Sequence, residues 1–379
     1  MRIVLVSSSY APRIGGLEKV AQHLARAWKE AGHEVYVITT QSSRELPPFE
    51  VIDGIPVSRH YFLWELPEIR LIPILKFLVQ FLLFPFALWS LWRTLNPATT
   101  DIVNVHYVGP PAWWTVFIAK IRSIPVVVTL HGSDLLKEPH RSRLKHLMLR
   151  KVLATADEIS TVSRFMFQEM ERFFPECRGK GVVIWNGVDL SEFEGLEPPR
   201  AERPYGLCVA RLHPQKGHHL LLDAYETFGA SDPGFDLVFL GNGPMLETLE
   251  AKARESALGE QISFHGNVSH REVLSLMKGA SFVVIPSEAE PFGLVAVEAR
   301  MLGRPIVAFR RGALPEVLGG YAGVTWVEHD MASAMAQGMA AAMRSGKISQ
   351  ETVSVFDSWE IVAQKYIHLF SKHVEKDES

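Results

Sequence analysis

Short apolar runs alternate with longer amphipathic stretches along most of the chain. The runs are rich in Val and Ile, as in strands that are buried on both faces. The stretches between them have helical spacing; one example is Leu17–Ala31, which ends before Gly32. This alternation predicts an α/β protein with parallel sheets covered by helices. The predicted strands are Ile3–Val6, Glu34–Thr39, Ile102–Val105, Pro125–Leu130, Glu158–Val162, Tyr205–Ala210, Asp236–Leu240, Gln261–His265, Ser281–Ile285 and Pro305–Phe309.

A polar, proline-rich segment, Leu190–Pro204, separates the two sets of strands and predicts a linker. A chain of 379 residues is too long for one compact core. We therefore predict two Rossmann-like domains, 1–190 and 204–355. In both domains, residues suited to ligand binding lie at the ends of predicted strands. We therefore predict a ligand-binding cleft between the domains. The pattern of Phe356–Ser371 predicts a terminal helix.

The segment Leu71–Trp92 is apolar and long enough to span a bilayer. We reject a transmembrane helix, because a span there would place strands of one sheet on opposite sides of the membrane. Pro73 and Pro85 are also expected to break the run. Two alternatives remain. The segment is either a buried helix of the first domain, or an apolar face at the membrane surface or at the mouth of the cleft, where an acceptor would enter. Trp64, Trp89 and Trp92 favour the second alternative.

Basic and apolar side chains also alternate from Lys137 to Lys151, as in a helix that lies on anionic lipid. A solvated helix face explains this segment equally well. The first half of the chain is net positive and the second half net negative, so an anionic surface partner should meet the first half. The two cysteines, Cys177 and Cys208, offer neither a disulfide framework nor a metal-ligand spacing, and the start of the chain does not resemble a secretory signal. We expect a protein of the reducing cytoplasm.

The most informative motif is Glu290-Pro-Phe-Gly-Leu-Val-Ala-Val-Glu298, which lies between two predicted strands. A glycine turn that leads into a helix presents free backbone N–H groups and a positive helix end, which suit phosphate. The two carboxylates suit sugar and ribose hydroxyls. A site for both diphosphate and polyol predicts a sugar nucleotide as the ligand.

A second motif, Arg211-Leu-His-Pro-Gln-Lys216-Gly, follows the first strand of the second domain. Its two cations form a clamp for a diphosphate whose charge rises as the sugar bond breaks. The chain contains no Asp-x-Asp pair, so the sequence offers no obvious ligands for a metal on the diphosphate.

Further candidates lie at other strand ends. Gly15 and Gly16 follow the first strand and would let the backbone approach an anion. The loop at Gly241 lacks the third glycine of a dinucleotide fingerprint, so we discount NAD binding but keep the loop as a candidate wall of the nucleotide pocket. The backbone near Val268 is suited to a base edge. His131 ends an apolar strand and could bind a sugar hydroxyl, although a lone histidine there is more often structural; His106 is a weaker candidate of the same kind.

Together these motifs resemble the retaining glycosyltransferases of family 4, which have the GT-B fold of two Rossmann-like domains. The resemblance covers nearly the whole chain and also includes Asn186-Gly-Val-Asp189 and Phe356-Asp-Ser-Trp-Glu360. It implies that the C-terminal helix, 356–374, returns to the first domain. One departure is Ala210, where the family has glycine before the arginine.

The resemblance also implies roles for individual residues. Arg211 and Lys216 would hold the donor diphosphate, Glu298 the ribose and Glu290 the transferred sugar. The backbone N–H groups of Phe292, Gly293 and Leu294 would contact sugar and phosphate. His131 would lie beside the sugar, and Gly16 would meet the diphosphate when the domains close.

The function expected is transfer of a hexose-type sugar from a nucleotide-diphosphate sugar to a glycan or lipid-linked acceptor. We expect neither cofactor nor metal, no nucleic acid partner, and a cytoplasmic enzyme that binds the inner face of the membrane peripherally. Front-face attack is favoured over a covalent intermediate, because Glu290 is the only candidate nucleophile and its implied role is hydroxyl binding. Two alternatives remain, a GT-B sugar-nucleotide epimerase and an inactive sugar-nucleotide-binding scaffold.

Overall fold

The computed structural model describes residues 1–13, 15–41, 45–60, 73–229, 234–328, 331–348 and 355–374. The chain divides into two compact units, one of Met1–Val188 with Asp357–Ser379 and one of Asp189–Phe356. Each unit is built on its own sheet, which is mostly parallel in the first unit and fully parallel in the second.

The first unit contains an eight-stranded sheet in the order β3-β4-β2-β1-β5-β6-β7-β8. Its neighbouring strands are parallel, except for the antiparallel pair β3 and β4. The central strands are buried along their whole length, because helices cover both faces of the sheet. The strands are β1 (Arg2–Ser7), β2 (Glu34–Thr40), β3 (Phe49–Ile52), β4 (Ile55–His60), β5 (Ile102–His106), β6 (Val126–Leu130), β7 (Glu158–Thr161) and β8 (Val182–Val183). The helices up to β8 are α1 (Gly16–Glu30), α2 (Pro73–Thr94), α3 (Pro110–Ile121), α4 (Ser133–Leu136), α5 (Arg143–Thr155) and α6 (Arg164–Phe173).

The second unit contains a six-stranded, fully parallel sheet in the order β11-β10-β9-β12-β13-β14. Counted from β9, this is the strand order of a dinucleotide-binding Rossmann domain. The strands are β9 (Tyr205–Val209), β10 (Asp236–Leu240), β11 (Ile262–Phe264), β12 (Phe282–Ile285), β13 (Ile306–Phe309) and β14 (Val324–Val327). The helices are α7 (His218–Gly229), α8 (Leu246–Glu255), α9 (His270–Gly279), α10 (Leu294–Met301), α11 (Leu314–Val317) and α12 (Ala332–Ser345).

The last helix, α13 (Trp359–Val374), packs on the first unit. Trp28 of α1 is fully buried against it, and its indole N–H donates to the carbonyl of Ala363 at 3.3 Å. The His23 ring stacks on Trp359 with 5.0 Å between ring centroids. Gly187 is required beside this helix, because a Cβ there would lie 2.8 Å from the Trp359 side chain.

The ten predicted strands are present, but β3, β4, β8 and β14 were missed. Edge strands such as β3 and β8 are short and only partly buried, so their apolar signal is weak. The segment interpreted as a linker packs on the second unit: Lys278 Nζ donates to the carbonyl of Leu196 at 2.6 Å, and Arg271 donates to that of Gly195 at 2.9 Å.

The expectation that Pro85 breaks the apolar segment is wrong, because α2 continues through it to Thr94. Proline in a helix interior costs about 3 kcal/mol, which the rest of a 22-residue helix can offset. Trp64 and the first two residues of Leu71–Trp92 lie outside the described residues. The basic segment after Lys137 is not one helix, since a short 3-10 turn, Glu138–Arg141, precedes α5. Within the described ranges no helix is long and apolar enough to cross a membrane.

Candidate active site

The strand order of the second unit reverses between β9 and β12, which are neighbours in the sheet. The connections that leave these two strands go to opposite faces, so their carboxyl ends border a crevice where ligands bind in open α/β sheets. Arg211 and Lys216 lie in the connection after β9, and Glu290 lies in the connection after β12. The two sequence motifs therefore meet at the switch point of the sheet.

An ion pair joins the two motifs. Lys216 Nζ lies 2.6 Å from Glu290 Oε2, and each side chain is 16% exposed. An ammonium group has three donors, so this contact leaves Lys216 further N–H groups for an anion. Arg211 is exposed, and its side chain makes no hydrogen bond or ion pair with any residue in the described part of the chain. Together they supply one positioned cation and one that is open to a ligand.

Close backbone contacts hold these connections in place. Gly217 has φ +71°, and a Cβ there would lie 2.0 Å from the carbonyl oxygen of Pro286 at the end of β12. Gly312, with φ +60°, lies beneath Glu290, where a Cβ would be 2.5 Å from the Glu290 carbonyl oxygen. The same carbonyl accepts a hydrogen bond from the Ala313 N–H at 2.8 Å. The backbone of Glu290 is therefore fixed from the connection after β13.

The turn from Glu290 into α10 exposes the start of the helix. Gly293 is left-handed, with φ +93°, and caps α10. Its carbonyl accepts from the N–H groups of Ala296 and Val297, at 2.9 and 3.1 Å. The N–H groups of Gly293 and Leu294 donate to none of the described residues, whereas the Phe292 side chain is buried and anchors the turn. This is the arrangement that suits an anion.

Glu298, on the first turns of α10, is 8% exposed. Its carboxylate lies 3.6 Å from His270 Nε2 at the start of α9. The same imidazole nitrogen lies 3.3 Å from Glu192. The carboxylate predicted to bind ribose is therefore held beside a histidine that the sequence did not single out.

The Gly241 and Val268 loops lie next to the β9 connection. The Gly241 N–H donates to the Gly266 carbonyl at 2.7 Å, and the Leu212 N–H donates to the Asn242 carbonyl at 3.0 Å. Gly241 has φ +128°, and a Cβ there would be 2.1 Å from the Ala210 carbonyl oxygen. Only glycine fits this position, which explains its presence without NAD.

In the first unit, Gly15 and Gly16 come between β1 and α1. Gly16 begins α1, and Gly15 precedes it in an extended conformation. A Cβ on Gly15 would lie 2.4 Å from a carboxylate oxygen of Glu18, so a side chain now occupies the space beside this glycine. The expected contact of Gly15 and Gly16 with a diphosphate stays a prediction.

His131 follows β6 and belongs to a buried polar chain. Its Nε2 lies 2.9 Å from Nδ1 of His106, whose Nε2 lies 2.5 Å from Oδ1 of Asn104. Burial lowers the pKa of His131 to about 3 and that of His106 well below its usual value. Both rings are therefore neutral at physiological pH.

Asp134 holds the backbone of the His131 loop. Its carboxylate accepts hydrogen bonds from the N–H groups of Val108, His131 and Gly132, at 2.7 to 3.3 Å. Burial raises the pKa of this carboxyl group, and the backbone donors oppose that rise. Asp134, Asn104 and His106 thus fix His131 from two sides.

The sequence missed Gly312, His270 and Asn104 as members of these clusters, because each is distant in sequence from the motif it supports. Within the described ranges, no group of three or more His, Cys, Asp and Glu residues is placed to hold a metal ion.

Comparison with known proteins assigns both halves of the chain. Residues 14–192 match the family described as Glycosyltransferase Family 4, and residues 194–354 match Glycosyl transferases group 1. A glycogen synthase from Mycobacterium tuberculosis is 30% identical over 371 residues, which cover 91% of this chain and 86% of the relative. A D-inositol 3-phosphate glycosyltransferase from Acidothermus cellulolyticus is 27% identical, with 84% of this chain and 76% of the relative covered.

Solved structures share the fold. Sucrose-phosphate synthase from Thermosynechococcus elongatus superposes with a TM-score of 0.76 at 20% identity, covering 98% of this chain and 99% of the other. HepE from Anabaena, in complex with UDP-glucose, gives 0.75 at 19% identity, with 98% and 99% covered. On the matches to both family models and the similarity across nearly the whole chain, this protein belongs to the group 1, family 4 glycosyltransferases and has their GT-B fold.

Proposed function

We propose that this glycosyltransferase moves a hexose-type sugar from a nucleotide-diphosphate sugar to a glycan or lipid-linked acceptor, with retention of anomeric configuration. The observation that carries the proposal is the Lys216–Glu290 ion pair beside the open Arg211 at the switch point of the second sheet. Cations and a carboxylate at one point suit a ligand that joins a diphosphate to a polyol. The relative named glycogen synthase and the HepE complex with UDP-glucose support a hexose donor.

The contacts support the following assignment of residues to the parts of the sugar nucleotide. Arg211 and Lys216 neutralise the diphosphate, with the open N–H groups of Gly293 and Leu294 as further donors. Glu290 accepts from hydroxyls of the transferred sugar, and Glu298 accepts from those of the ribose. The Gly241 and Val268 loops line the base.

The chemical step breaks the bond between the anomeric carbon and the diphosphate oxygen. The acceptor hydroxyl attacks from the same face, and its proton passes to the departing diphosphate. The protein needs to stabilise charge that grows on the leaving group, and we propose that the positioned Lys216 and the open Arg211 do this without a metal ion. Removing one contact of this kind costs roughly 3 kcal/mol in the transition state.

His131 is proposed to contact the transferred sugar. As a neutral ring it cannot neutralise the diphosphate, so its role is a hydrogen bond with a hydroxyl. Gly15 and Gly16 are proposed to contact the diphosphate through backbone N–H groups.

Two other functions use the same donor site. An epimerase would need no acceptor, and an inactive scaffold would bind the donor without releasing nucleotide. An inactive scaffold would be expected to have lost Arg211, Lys216 or one of the two glutamates, and Arg211, Lys216, Glu290 and Glu298 are all present. The apolar surface described next argues for a separate acceptor.

We further propose that the first unit binds an anionic membrane surface and that the enzyme is cytoplasmic. Helix α2 packs on α3, and α3 on α5. Their exposed apolar side chains are accompanied by cations, since Arg93 lies over the Trp89 ring at 4.9 Å and Arg122 over the Trp92 ring at 4.6 Å. Aromatic rings beside cations suit the interface of an anionic bilayer. The apolar members of this α2–α3–α5 surface are Phe86, Trp89, Trp92, Phe117, Ile121, Leu144 and Leu147.

Incubation of the purified protein with a panel of nucleotide sugars tests the transferase proposal. We expect slow release of the nucleoside diphosphate from one donor in the presence of a chelator, with water as the acceptor of the sugar, and NMR at early times should show the free α-anomer from an α-linked donor. Epimerised nucleotide sugar would identify the epimerase, and binding with no release would identify the scaffold.

Flotation with anionic vesicles tests the membrane proposal. Replacing Phe86 and Trp89 by Ser should abolish flotation, whereas the control Phe49→Ser, an equally exposed aromatic residue on β3, should float like the parent. Failure of the parent protein to float at low salt would contradict the proposal.

A further inference from the structure

The hydrogen-bonding chain behind His131 fixes which of its ring nitrogens carries the proton. Asn104 is buried on β5, and its Nδ2 lies 3.2 Å from the backbone carbonyl oxygen of Val127. A carbonyl oxygen only accepts hydrogen bonds, so the atom that faces it must be the amide nitrogen. The Asn104 amide is therefore oriented without ambiguity, with Oδ1 directed to His106.

The second Asn104 contact is compatible with this orientation, because a hydroxyl oxygen can accept a hydrogen bond. Nδ2 also lies 3.2 Å from Thr129 Oγ1, which lies 2.7 Å from Ser160 Oγ. Ser160 in turn contacts the hydroxyl of Tyr366, on α13, at 3.3 Å. The C-terminal helix thus closes the network that holds the amide.

The tautomers of both histidines follow from this orientation. Asn104 Oδ1 accepts, so His106 Nε2 carries a proton and donates it. The neutral His106 ring then has an unprotonated Nδ1, which accepts from His131 Nε2. His131 is consequently the Nε2–H tautomer. Its Nδ1 is an acceptor and has no hydrogen-bond partner among the described residues.

We propose that Asn104 and His106 are positioning residues that hold His131 as the Nε2–H tautomer, so that His131 Nδ1 accepts a hydrogen bond from a hydroxyl of the bound sugar. This inference rests on the proposed function for its ligand but not for the tautomer. The other tautomer would present an N–H at Nδ1, which could not accept the same hydroxyl proton. The buried network therefore makes His131 Nδ1 select a ligand group that donates a hydrogen bond, such as a hydroxyl, over a group that only accepts one.

The tautomer is tested first, without any substrate. Nitrogen-15 NMR of the histidine rings, assigned with His131→Gln, should give a protonated Nε2 and an unprotonated, pyridine-type Nδ1 for His131 at neutral pH. A protonated Nδ1 on His131 in the parent protein would overturn the proposal, whatever the enzyme transfers.

The functional consequence is tested with a matched pair of His106 variants. Asparagine places an acceptor near the position of imidazole Nδ1, whereas leucine removes it. His106→Leu should lower kcat/KM for the donor about tenfold or more, the factor for one lost hydrogen bond, and His106→Asn should restore most of it. Equal losses in both variants, or no loss in either, would contradict a positioning role.

A double-mutant comparison separates this role from a loss of packing. With His131 already changed to Ala, His106→Leu should lower kcat/KM by less than twofold more, because the hydrogen bond that it positions is gone. A full further loss would overturn the proposal. An inactive parent in the same assay, with the expected tautomer by NMR, would instead count against the transferase function.

Discussion

The Lys216–Glu290 ion pair gives the most informative perturbation. Lys216→Met keeps most of the side-chain volume and the apolar stem but removes the ammonium. In the structure this removes a 2.6 Å contact between groups that are each 16% exposed. If Lys216 stabilises the leaving diphosphate, the variant should lose rate as well as stability, and the rate loss should persist in the folded enzyme.

The gross attraction of unit charges 2.6 Å apart is about 6 kcal/mol at an effective dielectric constant near 20. Desolvation cancels much of it, so we expect a loss of about 1–3 kcal/mol in the free energy of unfolding, as for a charged hydrogen bond. The transition-state loss is about 3 kcal/mol, which lowers kcat roughly a hundredfold or more.

Steady-state kinetics and thermal unfolding on the same preparation distinguish these effects. Lys252→Met is the matched control, since Lys252 pairs with Asp223 in the same unit but both side chains are more exposed, at 36% and 44%. The control should change the unfolding free energy by less than about 1 kcal/mol and leave kcat unchanged. A folded Lys216→Met enzyme with kcat within threefold of the parent would refute the clamp.

Three further perturbations test other parts of the account. Gly312→Ala should lower both kcat and the unfolding temperature, because its Cβ would lie 2.5 Å from the Glu290 carbonyl oxygen. The control is Gly320→Ala, which is also at positive φ but has open space around it; in the same assays it should lower only the unfolding temperature, and by less. Glu298→Gln should raise the donor KM about tenfold with little change in kcat, as measured by initial rates, if its carboxylate binds ground-state and transition-state ribose equally. The pKa of His131 is lowered from 6.5 to about 3, so only the unfolded chain takes up a proton between these values, and stability falls as the pH falls through that window. Between pH 7 and pH 5 the buried His131 ring should lower the free energy of unfolding by about 2 kcal/mol. The free energy of unfolding of His131→Gln, measured in urea, should therefore fall by about 2 kcal/mol less than that of the parent over the same interval.

Much of this fold follows from local patterns. Buried parallel strands such as β5 and β6 are nearly continuous apolar runs, so their sequence signal is strong. The strand β3 alternates half-buried and exposed side chains at a sheet edge, and its signal is correspondingly weak. At Pro85 the sequence signal is strong but misleading. A proline predicts a break, yet a helix stabilised along its length can include a residue with poor helix propensity.

The site was predictable where one motif carries both the geometry and the chemistry. Glu290, Gly293 and Glu298 lie on one turn and one helix, so their relative placement follows from the sequence. The contact of Lys216 with Glu290 depends on which strands are neighbours, and Gly312 supports Glu290 from a third connection. The His106–Asn104 chain could not be predicted, because alternate positions along a strand carry no sign of a hydrogen bond between them.

Calorimetric titration with nucleoside diphosphates, in the presence of a chelator, tests most directly whether the side-chain cations Arg211 and Lys216 hold the donor diphosphate. We predict that the parent protein binds at least one of UDP, ADP and GDP under these conditions. Arg211→Met should bind it at least tenfold more weakly with unchanged thermal stability, because the Arg211 side chain is exposed and makes no hydrogen bond or ion pair with another described residue. Binding that requires a divalent cation, or that is equally tight in Arg211→Met, would contradict the account.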